Sequence, residues 1–582
     1  MRTQVERVAH VPQGDWSEGP GDDGLPMALG RLLAAIGAAS ILVACQPSDP
    51  QPGAAPSASD EIDARSLHDR IATLASDEFE GRAPGSSGEA RTVEYLTEAF
   101  RSVGLEPGNP DETYVQRVPL VGITSEATRP LTFRRAETAW APVPGKDFVA
   151  GTRRVFDNVA LEGEVVFVGY GVVAPEYDWD DFKGRDVRGK ILLMLVNDPP
   201  AGDSFGGEAM TYYGRWTYKY EVAAELGAAG VFVIHETGPA GYPWEVLSGG
   251  WTGPGWRAQE DFDLVTPDRN AGRAAVEGWL HVDAARALFE SAGLDFDEQK
   301  AAAARPTFQP VSLDTTGEME LANMLRTMES ANVVAKLEGT EAPDEVVMYV
   351  AHWDHLGTDA EGEGDTVFNG AHDNASGTAG LLEIAEAFGR ASERPRRSVV
   401  FLAVTAEERG LLGSRFYAER PLYPPAQTVA VVNMDGLNLL GVTRDVTVIG
   451  MGQSTLDDLA SEVAATQGRE LRSDPEPEKG YYYRSDHFEF AKVGIPAFYA
   501  DAGIAFVGRP EGWGLEMRER YLAEDYHQPS DEVKDYWDLS GAVEDLDLLY
   551  RMGHRLATGS TWPEWKPTSE FRAIRDAQRA AP

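Results

Sequence analysis

Cysteine is almost absent from this sequence. The chain has 582 residues and a single cysteine, Cys45. One cysteine cannot form an intrachain disulfide, nor can it build the cysteine clusters of structural zinc sites. The sequence therefore excludes a disulfide-stabilised scaffold and a zinc-finger type of site.

Positive charge is also scarce. The chain has 52 Lys and Arg against 94 Asp and Glu, which gives a net charge of −42. Such a surface repels a phosphate backbone and cannot release counterions from it. The sequence predicts no nucleic-acid partner, and solubility is the simplest reason for the charge.

The chain has an apolar run before its cysteine that is short for a membrane span. The run Leu32–Ala44 follows Arg31 and ends directly at Cys45, and its length is that of a signal-peptide core. It resembles a bacterial lipoprotein signal, which is cleaved before a cysteine that is then lipidated. We therefore expect an extracytoplasmic protein anchored to a bacterial membrane through Cys45, with Met27 as an alternative start to Met1. The alternative is a buried or accidental cysteine near a disordered amino terminus.

The length predicts two folded units of ordinary size, because one hydrophobic core rarely grows to this size. Composition changes along the chain divide it into a few parts. We predict an extension and signal (1–44), a Pro/Ser/Ala tether (45–59), a first part of an α/β domain (60–139), a β-rich insertion (140–325), a second part of the α/β domain (326–560) and a tail (561–582).

Hydrophobic periodicity supports this division. Helical spacing predicts helices at Glu61–Ser76 and Gly88–Val103, and short β-rich runs follow from Trp140. After about Ser330, strands alternate with helices. The predicted strands of this part include Val346–Ala351, Ser398–Thr405 and Thr428–Asn433. The predicted fold is α/β, with a mixed, largely parallel sheet sandwiched by helices and an inserted β-rich domain.

Histidines and carboxylates follow the ends of the later predicted strands. Open α/β sheets build their sites in the crevice beyond the carboxyl ends of the strands. A lone histidine or a Glu-Glu pair is usually structural or solvated, but five such segments together indicate a metal site. The ligand types suit zinc, or less selectively manganese or cobalt. The five segments are His352-Trp353-Asp354, Ala371-His372-Asp373-Asn374, Glu407-Glu408, Asp435 and Tyr526-His527.

Seven short strings share the order and spacing of a known enzyme family. They are 352–354 (HWD), 373–377 (DNASG), 405–410 (TAEERG), 433–436 (NMDG), 484–487 (RSDH), 494–497 (GIPA) and 526–527 (YH). Across residues 60–555 the sequence resembles the co-catalytic di-zinc metallopeptidases, which include bacterial and vacuolar aminopeptidases and glutamate carboxypeptidase. Inside the insertion, the segments 184–191 (GRDVRGKI) and 220–230 (YEVAAELGAAG) resemble the protease-associated domain found in many members.

The resemblance implies a role for each of these residues. Asp373 would bridge two zinc ions, His352 and Asp435 would complete one site, and Glu408 and His527 the other. A bridging carboxylate holds such ions about 3.5–4 Å apart, so that they share an activated water.

The resemblance also implies residues beside the ligands. Glu407 would be the general base, and Asp354 would accept a hydrogen bond from the first histidine and orient it. Tyr526 would donate to the oxyanion, the alternative being a packed aromatic ring. His355 and His372 would lie outside the ligand set.

The string 484–487 is the predicted substrate-binding segment. Arg484, Asp486 and His487 would shape the substrate pocket, or else form a structural hydrogen-bonding cluster.

The sequence thus predicts a zinc aminopeptidase that acts on oligopeptides. A carboxypeptidase or dipeptidase is the alternative on the same site, because an α-carboxylate calls for Arg or Lys and an α-ammonium for spare carboxylates. A non-catalytic receptor with this fold is the third possibility, and the intact ligand set with Glu407 argues against it.

Overall fold

The structure is a computed structural model that describes residues 62–580, except 201–204, 206, 208, 250–259, 360, 361 and 363. The predicted signal, the tether and Cys45 lie outside the described residues. The strands are β1 (Glu106–Pro107), β2 (Val115–Arg135), β3 (Thr138–Trp140), β4 (Phe148–Gly151), β5 (Asn158–Phe167), β6 (Val173–Ala174), β7 (Trp179–Asp180), β8 (Ile191–Leu195), β9 (Gly230–His235), β10 (Asp261–Leu264), β11 (Val276–His281), β12 (Val311–Leu337), β13 (Ala342–His352), β14 (Gly357–Thr358), β15 (Val367–Phe368), β16 (Arg397–Val404), β17 (Thr428–Asn433), β18 (Asp445–Ile449), β19 (Glu470–Ser473) and β20 (Ala497–Asp501).

The helices alternate with strands mainly in the second half of the chain. They are α1 (Ala64–Leu74), α2 (Ser87–Ser102), α3 (Trp216–Glu225), α4 (Thr237–Ala240), α5 (Trp244–Gly249), α6 (Val282–Ser291), α7 (Phe296–Ala303), α8 (Gly377–Arg390), α9 (Leu412–Glu419), α10 (Leu456–Thr466), α11 (His487–Lys492), α12 (Trp513–Glu524), α13 (Ser540–Thr558) and α14 (Arg572–Ala580).

A single long sheet connects most of the strands. Its main path runs β19-β18-β20-β17-β13-β16-β12-β5-β8-β9-β11-β4. Strands β20, β17, β13 and β16 are parallel neighbours, and so are β5, β8, β9 and β11. Between these groups, β12 is antiparallel to both of its path neighbours. The predicted fold class, α/β with a mixed and largely parallel sheet, is confirmed.

Helices cover both faces of the sheet around β13. Alternate residues of β13 between Val346 and Ala351 lie in two different buried clusters. One cluster includes α1, α2, α8 and α13, and the other includes α9 and α11. Because strand side chains alternate between faces, a continuous apolar strand needs a layer on each side.

Two long strands extend from this region into the middle of the chain. Strand β2 pairs with β12 from Val115 opposite Val333 to Arg134 opposite Thr316. Buried residues between Leu131 and Leu321 form clusters separate from the one around α8. The predicted boundary between 325 and 326 falls within β12, so one strand belongs to both predicted parts. The domain division itself stays a prediction.

The first two helices lie close to their predicted positions, since local capping signals mark where they start. The side chain of Asp63 accepts a hydrogen bond from the Arg65 N–H at 2.8 Å, and that of Ser86 accepts one from the Glu89 N–H at 3.2 Å. Side-chain oxygens at this position satisfy the first unpaired N–H groups of a helix. Among the helices of the described residues, none has the length and apolar character that a bilayer crossing requires.

The carboxyl-terminal segment carries an unusual acid, Glu570. It accepts a hydrogen bond from the Tyr483 hydroxyl at 3.1 Å. Burial raises its pKa from 4.5 to about 8, and the neighbouring acids Glu176 and Asp198 add to the shift. The folded protein therefore holds a proton at pH 5–8 that the unfolded chain releases.

We expect the free energy of unfolding to fall as the pH rises from about 5 to 8. Glu570→Gln mimics the protonated acid and does not titrate. The variant should therefore lose about 1–2 kcal/mol less free energy of unfolding between pH 5 and 8 than wild type, a figure that allows for the partial exposure of Glu570. Urea titrations at several pH values measure the effect, with the exposed Glu564→Gln as control. Parallel pH profiles for wild type and Glu570→Gln would contradict the assignment.

Candidate metal centre

The topology explains why the metal-ligand candidates converge. Strand β13 ends at His352, β16 ends just before Glu407, and β17 ends just before Asp435. These strands are parallel neighbours in the order β17-β13-β16. Their carboxyl ends therefore meet at one edge of the sheet, where Asp373 joins them from the loop before α8.

Asp373 lies between two imidazoles. Its Oδ1 is 3.3 Å from His352 Nε2, and its Oδ2 is 3.2 Å from His527 Nε2. His352 Nε2 is also 3.2 Å from Asp435 Oδ1. Each oxygen of this one carboxylate thus faces a different ligand group, which is the arrangement that a bridging ligand requires.

The second half of the cluster is centred on Glu408. Its Oε2 is 3.0 Å from His527 Nε2, and its Oε1 is 2.7 Å from His355 Nδ1. His355 is fully buried. The sequence predicts His355 outside the ligand set. In the structure it contacts Glu408 Oε1, while Glu408 Oε2 contacts His527.

Glu407 lies on the side of His352 and Asp435. Its Oε2 is 4.0 Å from His352 Nε2, and its side chain is 12% exposed. Within the described residues, Glu407, His352 and Asp435 form one of two triplets whose ligand atoms all lie within 4.8 Å of one another. The other triplet is His352, Asp373 and Glu408. Glu407 is therefore close enough to contact either a metal ion or a water beside it.

Asp354 lies beside both His352 and the peptide unit of Glu407. The acceptor nearest to His352 Nδ1 is the backbone oxygen of Asp354 at 3.2 Å, while the Asp354 carboxylate is 3.8 Å away. The carboxylate instead accepts a hydrogen bond from the Glu407 N–H at 3.0 Å. Asp354 thus fixes the peptide unit of Glu407, and its backbone supports the histidine.

The electrostatics of the cluster call for added positive charge. Burial lowers the pKa of His527, but the contacts with Asp373 and Glu408 outweigh it and raise the pKa to about 10. Burial also raises the pKa of Glu407 well above its usual range. Four carboxylates around two imidazoles form an oxygen-rich donor set with excess negative charge. The residues present therefore fit divalent cations of the zinc type.

Arg82 is a functional residue that the sequence analysis missed, because it stands in a Gly/Pro loop where exposure is expected. It is only 1% exposed. Its guanidinium donates to the carbonyls of Leu74 (2.7 Å), Trp353 (2.8 Å), Asn369 (2.6 Å) and Gly370 (2.9 Å). One side chain thus ties together the two segments that carry the first histidine and the bridging aspartate.

Asp531 is a second missed residue. It is 1% exposed, and its carboxylate accepts hydrogen bonds from the N–H groups of His372 (3.0 Å) and Asp373 (3.1 Å). Asn374 acts similarly, because its Oδ1 accepts from the N–H groups of Gly377 and Gly436, both at 2.9 Å. These contacts set the backbone on either side of the predicted bridging carboxylate. The only sequence signal for Asp531 was its place four residues after His527.

A cleft of about 310 Å³ opens onto the cluster. Asp373, Glu407 and Asp435 lie in its wall, and Tyr526 lines it with a side chain that is 41% exposed. The Tyr526 ring stacks on His527 at a centroid distance of 3.8 Å. Three of the predicted site carboxylates and Tyr526 therefore meet at a solvent-accessible surface.

The string 484–487 divides between the cleft and the core. Arg484 lines the cleft, but Asp486 and His487 are fully buried. Asp486 accepts a hydrogen bond from the Ser414 hydroxyl at 2.6 Å, and His487 packs against the Tyr482 ring at 4.7 Å. The structure places neither on the cleft surface, which differs from their predicted role in substrate binding. Burial lowers the pKa of His487 to about 3, so this imidazole is neutral.

Comparisons with known proteins agree with this site. Residues 332–550 match the family model described as peptidase family M28. A mouse protein named Aminopeptidase NAALADL1 is 32% identical over 172 residues, which are 28% of this chain and 21% of that protein. A Pyricularia oryzae protein named "Probable zinc metalloprotease" is 41% identical over 106 residues, 18% of this chain and 20% of that protein. The chain thus spans about a fifth of the length of these curated relatives.

A solved structure, the aminopeptidase from Aneurinibacillus sp. strain AM-1, is 19% identical, covers 88% of this chain and 98% of its own, and has a TM-score of 0.46. The family match includes all five predicted metal ligands. Over residues 332–550 this chain is therefore similar to peptidase family M28.

Proposed function

We propose that this protein is a zinc-dependent exopeptidase that hydrolyses the amino-terminal peptide bond of oligopeptides. The observation that carries the proposal is Asp373, whose two oxygens face His352 at 3.3 Å and His527 at 3.2 Å. The match of residues 332–550 to a peptidase family supports the reaction class. The printed name of the mouse relative supports the amino-terminal direction.

In this proposal the chain holds two zinc ions with five side chains. Asp373 would be shared, His352 and Asp435 would complete one site, and Glu408 and His527 the other. When bound, the ions would lower the pKa of a water molecule towards neutrality and polarise the scissile carbonyl.

Glu407 would act as the general base. It would take a proton from the attacking water and deliver it to the leaving nitrogen. Its side chain lies in the cleft wall, and its peptide unit is held by Asp354 at 3.0 Å. Tyr526 would donate a hydrogen bond from its hydroxyl to the oxyanion that forms at the reacting carbonyl.

A panel of blocked peptides tests the direction of cleavage. The zinc-loaded protein should release amino acids from free and carboxy-amidated peptides and spare amino-acetylated ones. Cleavage of acetylated but not amidated peptides would instead establish a carboxypeptidase, the second candidate. Absence of hydrolysis from all of them, with zinc bound, would favour a non-catalytic binding protein.

Metal content gives a prediction that is independent of activity. Wild type should bind two zinc ions, and Asp373→Asn should lower zinc affinity about 100-fold or more, because both sites lose a shared anionic ligand. Zinc binding stabilises the fold more when it is tighter, so chelation should lower the melting temperature of wild type and change that of the variant little. Elemental analysis and thermal melts measure both effects.

The exposed Asp458→Asn is the matched control for this substitution. It should bind zinc and respond to chelation as the wild type does. Equal zinc affinity in wild type and Asp373→Asn would show that Asp373 is not a shared zinc ligand.

We further propose that Cys45 carries a lipid anchor and that residues 140–325 contain a protease-associated domain. The run Leu32–Ala44 before Cys45 supports the first statement, and the segments 184–191 and 220–230 support the second. Membrane fractionation after expression in a bacterium tests the anchor. Wild type should sediment with membranes, and Cys45→Ser should not be lipidated.

A further inference from the structure

One wall of the cleft carries two arginines. Arg484 and Arg518 both line the cleft, together with Tyr481. The guanidinium carbons of Arg484 and Arg518 lie 5.2 Å and 4.9 Å from the centroid of the Tyr481 ring. A cation that packs on an aromatic ring is held in place with its hydrogen-bond donors free at the edges. The two guanidiniums are thus fixed on one ring at the cleft surface.

Arg484 lacks an acidic partner within the described part of the chain. Its Nη2 donates to the carbonyl of Lys479 at 2.8 Å, and its buried Nε has no hydrogen-bond partner there. A buried donor without a partner costs free energy unless a ligand satisfies it. In a chain with a net charge of −42, an uncompensated guanidinium in a cleft wall points to an anionic ligand.

The other basic residues of the cleft are paired more closely. Arg520 donates to Glu524 at 2.8 Å, and Lys534 donates to Asp525 at 3.2 Å. Arg518 lies 3.7 Å from Asp501, which is too long for a hydrogen bond. Arg484, and to a lesser extent Arg518, therefore provide the cleft's available positive charge.

A segment of the predicted insertion supports this wall. The Met210 N–H donates to the Pro477 carbonyl at 3.1 Å, and Met210 packs so tightly on Gly480 that a Cβ there would come within 2.6 Å of its sulfur. Arg215 adds a further guanidinium near Arg484. Burial, and then the charge of Arg484, lowers the pKa of Arg215 to about 10. The insertion thus contacts the loop that carries Tyr481, the ring on which both arginines pack. It also adds the positive charge of Arg215 near Arg484.

We propose, resting on the proposed peptidase function, that Arg484 and Arg518 bind a carboxylate of the peptide substrate. Arginine pairs hold carboxylates through several charge-assisted hydrogen bonds, which neutral groups cannot match. The carboxylate comes either from an acidic side chain beside the scissile bond or from the free carboxyl terminus of a short peptide. The preferred substrates are therefore acidic peptides or dipeptides with a free carboxylate.

Matched peptides distinguish the two sources. The first arm compares glutamate with glutamine on either side of the scissile bond in carboxy-amidated peptides. The second compares a neutral dipeptide as its free acid and its amide. We expect kcat/KM to favour the anionic member at least 10-fold in one arm, and that arm identifies the source.

Variants connect this preference to the arginines. Arg484→Met should reduce the preference to less than 3-fold, because kcat/KM for the anionic peptide falls. Arg518→Met should act in the same direction and serves if Arg484→Met does not fold. Arg520→Met is the matched control in the same cleft, and it should keep the wild-type preference.

Two results would overturn the inference. One is equal kcat/KM for both members in both arms, and the other is a full preference retained in Arg484→Met and Arg518→Met. If the zinc-loaded protein cleaves no peptide, the proposed function fails instead. Calorimetric binding of the same pairs then tests the inference directly, and it predicts tighter binding of the anionic member to wild type and not to Arg484→Met.

Discussion

Glu407→Gln is expected to lower kcat by about 10²–10⁴-fold while leaving zinc content unchanged. Glutamine keeps the size and the cleft position of the side chain but cannot accept a proton from water at neutral pH. General-base catalysis typically contributes a factor of this size. The Glu407 N–H contact with Asp354 is a backbone contact, so the loop geometry should survive the substitution.

Steady-state kinetics on an amidated peptide, together with elemental analysis, measure this effect. The neighbouring Glu408→Gln should differ, because it removes a predicted ligand and should release zinc. Glu532→Gln, at an exposed position near the cleft, is the matched control and should retain full activity. Turnover within 10-fold of wild type in zinc-loaded Glu407→Gln would assign the base to another group.

Arg82→Met is expected to lower the free energy of unfolding by about 3–5 kcal/mol. The substitution fills much of the same volume but removes the donors to four carbonyls at 2.6–2.9 Å. Buried carbonyls that lose their partners each cost of the order of 1 kcal/mol or more. Zinc affinity should fall as well, because the Trp353 carbonyl directly follows His352 and the Gly370 carbonyl lies three residues before Asp373.

Urea unfolding and zinc competition measure the two effects separately. Arg82→Lys keeps the charge but cannot reach all four acceptors at once, so we expect an intermediate loss. The control is Arg101→Met, whose side chain is 58% exposed and should cost less than about 0.5 kcal/mol. If the free energy of unfolding of Arg82→Met stays within 1 kcal/mol of wild type, the four carbonyls have found other donors.

Many strand ends could be predicted from the sequence, because the pattern that marks a buried strand lies within the strand itself. The predicted strand Thr428–Asn433 has the bounds of β17, and Ser398–Thr405 differs from β16 by one residue at each end. Apolar runs between turn residues mark a buried strand whatever its partners are. Parallel neighbours then bring their carboxyl ends together, so the convergence of His352 and Asp435 follows from the strand pattern.

The role of each acid could not be read in the same way. Asp354 and Asp486 have the same charge and both stand in strings typical of the family, yet both are fully buried, and Asp486 accepts from Ser414 below the cleft. Which side chain reaches the cleft depends on the packing of distant elements. Periodicity along the chain carries no information about that packing.

The sequence by itself determined the fold class, the edge of the sheet where the site lies, and the residue types that meet there. Only the tertiary structure decided which residues hold the metal-ligand segments in place and which charges line the cleft. Arg82 and Trp353 are 271 residues apart, and Arg215 approaches Arg484 from another part of the chain. Such contacts form only when the elements pack, because a buried charge gains its partners from backbone groups that no local pattern brings near it.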